Sequence, residues 1–329
     1  MKTPKNVSRS LVGGALVFAF VALAALAPKT SATSKHIDEV TLGVSTLRIS
    51  LPIFLAMKRD LFARHGVHVT LRSYPTAQPM VDDVTLGRID AAGFAAWPIV
   101  MLASARAPVA PRVATALEED ETHRLSYVLG RPGEGLHFPA DAAGRRVGVL
   151  PTVAYRRWLP AVLRAAGIDP ATVTVVPVEP ALQAQTLARG GVDMMFTNDP
   201  MATAMLARGV AVVIDDGPPC ARRLGSPFGF GTFVLSGAFA DRAPGVAARV
   251  VEAIDEAIEA TRADPAAANR AMADYLRPEE RSFVDAYPAS RYRTSREVGD
   301  QVGTEITRER TLGILDRTPS VRAFLRPVW

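Results

Sequence analysis

The chain has 329 residues, 48% of them hydrophobic and 22% charged, which is enough for two compact domains with separate cores. Its net charge of +5 comes without the dense Lys/Arg stripe that a phosphate backbone demands, so nucleic acid is excluded as a partner. A single cysteine, Cys220, excludes an intramolecular disulfide.

Lys2, Lys5 and Arg9 form a basic start, residues 11–27 an unbroken apolar run, and Thr30-Ser31-Ala32 the small residues of a processing site. This is the anatomy of a secretory signal peptide over residues 1–32, cleaved near Ala32, and it predicts an exported mature chain. The run is shorter than the roughly 20 residues of a spanning helix. A retained anchor serving a membrane-tethered sensor is the alternative. Residues 33–38 are a polar lead-in.

From residue 40 the pattern reads as a strand (40–44), a short loop, a helix (51–64) stopped by Gly66, and a strand (67–71). The helix sets Leu51, Phe54, Leu55, Leu61 and Phe62 on one face, with Lys58, Arg59 and Asp60 largely opposite. A second helix ends at Gly87, and Asp90 leads into an apolar strand (91–94) and a helix near Pro98. Residues 112–117 read as a strand. Glu118-Glu119-Asp120-Glu121 reads as a solvated loop, lacking the spacing of a calcium loop. Residues 125–131 are the expected first crossing between lobes.

The order then recurs: strand 146–150, a helix to Gly167, strand 172–178, a helix ending at Gly190-Gly191, strand 194–196 after Asp193, and a helix near Pro200. Gly43 and Gly148, Asp90 and Asp193, and Pro98 and Pro200 occupy equivalent places. Residues 231–235 are the expected return crossing, and two crossings make a hinge. A helix over 244–261 follows, with Ala247, Val250, Val251, Ile254 and Ile258 as its apolar stripe, and Pro265 opens another. From residue 287 the chain is read as helices wrapping back on the first lobe, ending near Phe324, Pro327 and Trp329. The expected division is 1–32 signal peptide, 33–130 first lobe, 131–231 second lobe, and 232–329 the return with C-terminal helices. Alternating strands and helices imply parallel sheets with right-handed crossovers.

In such sheets the ligand crevice lies beyond the carboxyl ends of the strands. That places Ser45, Thr46, Leu47 and Arg48, then Phe94, Ala95 and Trp97, on one side of a cleft. Thr152, Val153, Ala154 and Tyr155, then Asn198 and Asp199, stand on the other, with Phe228 and Phe230 beside the return. Each has a plainer reading: Ser45 as a turn residue, Ser50 and Thr152 as helix caps, Arg48 as a solvated arginine, Asp199 as the cap of the helix at Pro200, and the aromatics as core. A free helix start at Thr152 also suits an anion. His36, His65, His68, His123 and His137 show no ligand-like clustering, so no metal is expected. Cys220 lies in a turn-rich segment, and no catalytic residue is assigned.

The phrase Leu51-Pro52-Ile53-Phe54-Leu55-Ala56, followed by Leu61-Phe62 and Gly66-Val67, resembles the opening of the periplasmic substrate-binding proteins of ABC importers for nitrate, sulfonate, taurine and thiamine-pyrimidine precursors. Residues 141–149 are similar to that family's lead into its second lobe, and Gly167-Ile168-Asp169-Pro170 to its following turn. The likeness spans roughly Glu39 to Asp255. It departs at Arg59-Asp60, where the family has a glycine. The resemblance implies an α/β, bilobal, type II periplasmic-binding-protein-like fold. It further implies an extracytoplasmic, periplasmic monomer that delivers a small anionic or heteroaromatic ligand (sulfonate or taurine, nitrate, or a pyrimidine) to an ABC permease in the inner membrane, without a cofactor. Enzymes of thiamine-pyrimidine synthesis or desulfination on the same fold are the alternative.

Overall fold

The computed structural model describes residues 38–315 together with Phe324. The expected signal peptide and lead-in, and Pro327 and Trp329, lie outside the described residues.

The chain opens with β1 (Asp38–Ser45), then α1 (Leu51–Lys58), α2 (Leu61–Arg64), β2 (Val67–Tyr74), α3 (Ala77–Thr85), β3 (Ala91–Ala96), α4 (Trp97–Ser104) and β4 (Arg112–Glu119). The helix expected as one piece over 51–64 is two. Asp60, at φ 54°, breaks it in the left-handed region, where aspartate is one of the few tolerated non-glycine residues. β1 runs parallel to β2 along its whole length, from Asp38 opposite Val67 to Ser45 opposite Tyr74.

A second sheet is built from β5 (Tyr127–Gly130), β6 (Arg146–Val149), β7 (Thr174–Pro177), β8 (Met194–Thr197) and β9 (Val212–Val213), with α5 (Val153–Ala165), α6 (Gln183–Ala188), α7 (Met201–Ala207) and α8 (Pro219–Leu224) around it. The chain returns through β10 (Phe228–Leu235) and continues as α9 (Gly237–Arg242), α10 (Pro244–Ala263), α11 (Pro265–Met272), α12 (Pro278–Arg281), β11 (Arg291–Arg293) and α13 (Gly299–Thr311). The strand orders are β11-β4-β10-β3-β1-β2 and β7-β6-β8-β5-β9.

The internal repeat has a physical basis. Asp90 accepts from the Thr41 backbone N–H at 3.0 Å, and its own N–H donates back to Thr41 O at 2.9 Å. Asp193 repeats both bonds with Arg146, at 2.9 and 2.8 Å. In each repeat an aspartate just before the third strand, β3 or β8, thus ties it to the first, β1 or β6.

Three readings are corrected. The sheet-to-sheet passages are residues 120–126 and 214–227, since Tyr127–Gly130 is already a strand of the second sheet and Phe228–Leu235 lies wholly in the first. The acidic run is no solvated loop, because Glu118 and Glu119 end β4 and are buried. Glu119 accepts from Leu125 N at 2.8 Å, from Ser126 N, from Ser126 Oγ at 2.9 Å and from Ala221 N at 2.9 Å, so it joins both passages. Third, the tail contributes a strand. Arg291 and Arg293 meet Glu118 at 3.0 and 2.9 Å, while Tyr292 between them points inward and is buried.

Candidate functional site

The seam between the two sheets is built from the strand ends. β1 ends at Ser45, a turn through Thr46 and Leu47 follows, and a 3-10 turn over Arg48–Ser50 delivers the chain into α1. From the second sheet, β8 runs out at Thr197 and Asn198-Asp199 stands before α7. These two ends touch. Arg48 N donates to Asp199 O at 3.1 Å, and Arg48 Nε pairs with Asp199 Oδ2 at 2.9 Å, both side chains being 1% exposed or less.

Arg48 is therefore not solvated. Nη1 donates to Pro288 O at 2.7 Å and to Ser290 Oγ at 2.8 Å, and Nη2 to Arg124 O. Asp199 is equally engaged: Oδ1 accepts from Thr203 N at 2.9 Å and Thr203 Oγ1 at 2.7 Å, so it caps α7 while its other oxygen holds Arg48. One guanidinium clasps the β1 loop, the second-lobe strand end, a passage and the C-terminal segment. Removing either partner would leave an uncompensated buried charge.

The buried polar atoms with no hydrogen-bond partner among the described residues include Ser45 Oγ, Ser50 Oγ and Trp97 Nε1 from the first lobe, and Tyr155 O–H and Asn198 Oδ1 from the second. Each such atom carries a desolvation penalty of about 1–3 kcal/mol unless something pairs with it. Burial pushes the Tyr155 hydroxyl well above the ordinary tyrosine range, and nearby Cys220, Glu119 and Asp199 push it the same way, so it stays protonated. Thr152 caps α5 by accepting from Tyr155 N at 3.4 Å.

The aromatics divide. Tyr155 packs against Phe196 and Trp158 at ring separations of 5.0 and 5.4 Å, and Trp158 meets Phe228 and Phe230 at 5.4 and 5.0 Å, bridging α5 and the returning β10. Phe94 instead faces Tyr292 and Phe233 inside the first lobe. Leu47, Ala95 and Ala154 are buried, and Thr46 is half-buried. Val153 and Arg157 of α5 line a groove of about 650 Å3 together with Arg88 and Arg106 of the first lobe. Among the described residues no group of three or more His, Cys, Asp or Glu is placed to hold a metal ion, and no helix is long and apolar enough to cross a membrane.

Residues 49–268 match the sequence profile described as NMT1/THI5 like. The chain belongs to the NMT1/THI5-like family. No curated protein sequence matches it. Among solved structures, its fold is similar to that of the alkanesulfonate-binding protein SsuA from Xanthomonas axonopodis pv. citri bound to MOPS. That match has a TM-score of 0.68 at 18% identity and covers 88% of this chain and 98% of that one. The periplasmic nitrate-binding protein NrtA from Synechocystis PCC 6803 matches with a TM-score of 0.66 at 14% identity, over 88% and 85% of the two chains. The desulfurization enzyme DSZB matches with a TM-score of 0.60 at 16% identity, over 88% and 96%. At these identities the likeness carries the fold, which is the bilobal α/β fold of periplasmic binding proteins.

In this NMT1/THI5-like chain several seam residues escape a reading based on strand ends. Ser50 and Trp158 lie within helical turns, and Tyr287, Pro288 and Ser290 arrive from the C-terminal segment. Tyr287, whose hydroxyl burial and Asp199 push upward, had no local signal to mark it. Trp158 had one: it lies one helical turn beyond Tyr155, on the same face of α5.

Proposed function

We propose that the chain is the extracytoplasmic solute-binding component of an ABC importer, capturing a small molecule between its lobes and presenting the closed form to a membrane permease. The observation that carries this is a set of unpaired buried polar atoms on residues of both lobes that end or follow strands or open helices: Ser45 Oγ, Ser50 Oγ, Trp97 Nε1, Tyr155 O–H and Asn198 Oδ1. A ligand that donates and accepts hydrogen bonds there removes their desolvation penalty in the closed form only, and that differential is what shifts an open–closed equilibrium. Family membership and the sulfonate- and nitrate-binding neighbours support a small anionic or heteroaromatic solute, such as a sulfonate or taurine, nitrate or a pyrimidine. The aromatic group around Tyr155 and Trp158 favours a ligand with a flat or alkyl body.

Binding without turnover is the reading favoured over an enzyme on this fold. The Cys220 thiol is fully buried and burial raises its pKa well above the ordinary value, the opposite of an activated nucleophile. A thermal-shift series with taurine, alkanesulfonates, nitrate, bicarbonate, pyrimidines and flavins tests the proposal, since a ligand specific to the native state raises Tm by linkage. Tyr155→Phe should weaken the response without lowering the unliganded Tm. A response unchanged in Tyr155→Phe and Trp97→Phe would overturn the site, and ligand turnover lost in Cys220→Ser would overturn the binding role.

A further inference from the structure

α13 presents Val302, Glu305, Ile306 and Glu309 to the interior at helical spacing, so two of four positions on a buried stripe are carboxylates. Glu305 is 1% exposed and Glu309 is 0% exposed. Burying a carboxylate is costly unless donors offset its lost hydration. Glu305 has some, for Arg308 Nη1 donates to Oε1 at 2.7 Å and the Gly229 N–H faces it. The approach is so close that a Cβ on Gly229 would lie 2.2 Å from Glu305 Cδ. Glu305 Oε2 and both oxygens of Glu309 make no hydrogen bond of good geometry among the described residues, the Trp158 indole N–H being the donor that favours Glu309 ionisation.

The helix also lies across the seam. Near its start, Gln301 Nε2 donates to Glu118 Oε1 of β4 at 2.8 Å. Further along, Arg308 Nη2 donates to Pro227 O, at the end of the return passage, at 2.9 Å. Beyond its end, Leu312 O accepts from Arg164 Nη2 of α5 at 3.4 Å. α13 is thus tied to the first sheet, the passage and the second lobe at once. Its carboxylates face Arg308 on α13 itself, Glu118 on β4, Cys220 on α8 and Trp158 on α5, while α4, packed on the same helix, brings no titratable side chain. Of these, Arg308 alone is a cation.

We propose that α13 is a proton-controlled strap: with Glu305 and Glu309 protonated it holds the lobes together beside the return passage, and ionisation of the pair lifts it and opens the cleft. The ionised pair puts two like charges one helical turn apart in a place that water does not reach, and Arg308 neutralises only one of them. Burial raises Glu305 to about 7 and Glu309 to about 8, so the strap works around neutrality. The consequence for solute release rests on the binding role proposed above, but the strap itself does not.

The test therefore needs no ligand. Dyes on His68→Cys in the first lobe and Arg189→Cys in the second, both exposed positions, report lobe separation by energy transfer. Separation should rise with pH in a transition lying between about 7 and 8, and the Glu305→Gln, Glu309→Gln double variant should keep the low-pH distance throughout. A flat titration of the dye-labelled parent, or a double variant that opens like it, overturns the strap. If the titration is flat while taurine, nitrate or a pyrimidine still raises Tm, the strap fails and solute binding stands. If the transition appears and none of these probes shifts Tm at either end of it, the strap stands and solute binding fails.

Discussion

Glu119 and Glu309 are both fully buried, and burial pushes the pKa of each upward, yet their surroundings are opposites. Glu119 sits where the two passages meet and accepts four hydrogen bonds, three from backbone N–H groups. Glu309 faces the Trp158 indole, and no described residue offers it a backbone donor. A buried acid with a full set of donors is a joint, because the groups it satisfies are orphaned without it. One without them is a proton-binding group whose charge state alters the packing around it.

Substitutions can break or sharpen this contrast. The largest effect should come from the most fully matched group of all, the clasp. Arg48→Ala leaves Asp199 buried and uncompensated, so chemical denaturation should show a loss of about 3–5 kcal/mol. Glu119→Gln should cost about 1–3 kcal/mol, because an amide NH2 in place of either oxygen would face at least one backbone N–H donor; a neutral result would show that the joint is dispensable. Glu309→Gln should act with the opposite sign. Native Glu309 holds its proton to about pH 8, far above an unfolded glutamate, so its stabilising contribution is complete below the unfolded value and fades as pH rises through about 8. Between those limits stability should fall by up to about 1.4 kcal/mol per pH unit for this proton. The glutamine variant should lose that slope and be more stable than the parent at alkaline pH. Smallest of all, Ser45→Ala removes an unpaired buried hydroxyl and should leave stability level or raise it by up to about 1 kcal/mol. A clear loss would show that Oγ is paired in solution.

The lobes were legible because their signals are local. Gly66, Gly87, Gly167 and Gly190 all end helices at positive φ, and such stops can be read one residue at a time. The paired aspartates, Asp90 and Asp193, showed as a repeat before their backbone bonds gave the reason. The seam was legible by position and not by partner. Arg48 and Asp199 both stood at strand ends, but nothing near either residue announces an ion pair across lobes. The acidic run failed for the same reason. Four successive acids look solvated until Arg291, Arg293 and the N–H of Ala221 arrive from far along the chain. The strand Arg291–Arg293 was illegible because its pattern is too short to show a period, and its pairing depends on Glu118.

The strand order has a mechanical consequence. β4 and β10 are antiparallel neighbours, with Phe228 opposite Glu119 at the very point where the chain leaves and re-enters the first sheet. On the far side β5 and β9 are neighbours too, with Leu129 opposite Val213. The two covalent links therefore depart together and arrive together. Links rooted that close together are stretched least by a turn of one lobe against the other about the line they share. Under the proposed opening and closing, such a turn would return Arg48 and Asp199 to the pairing seen in this structure.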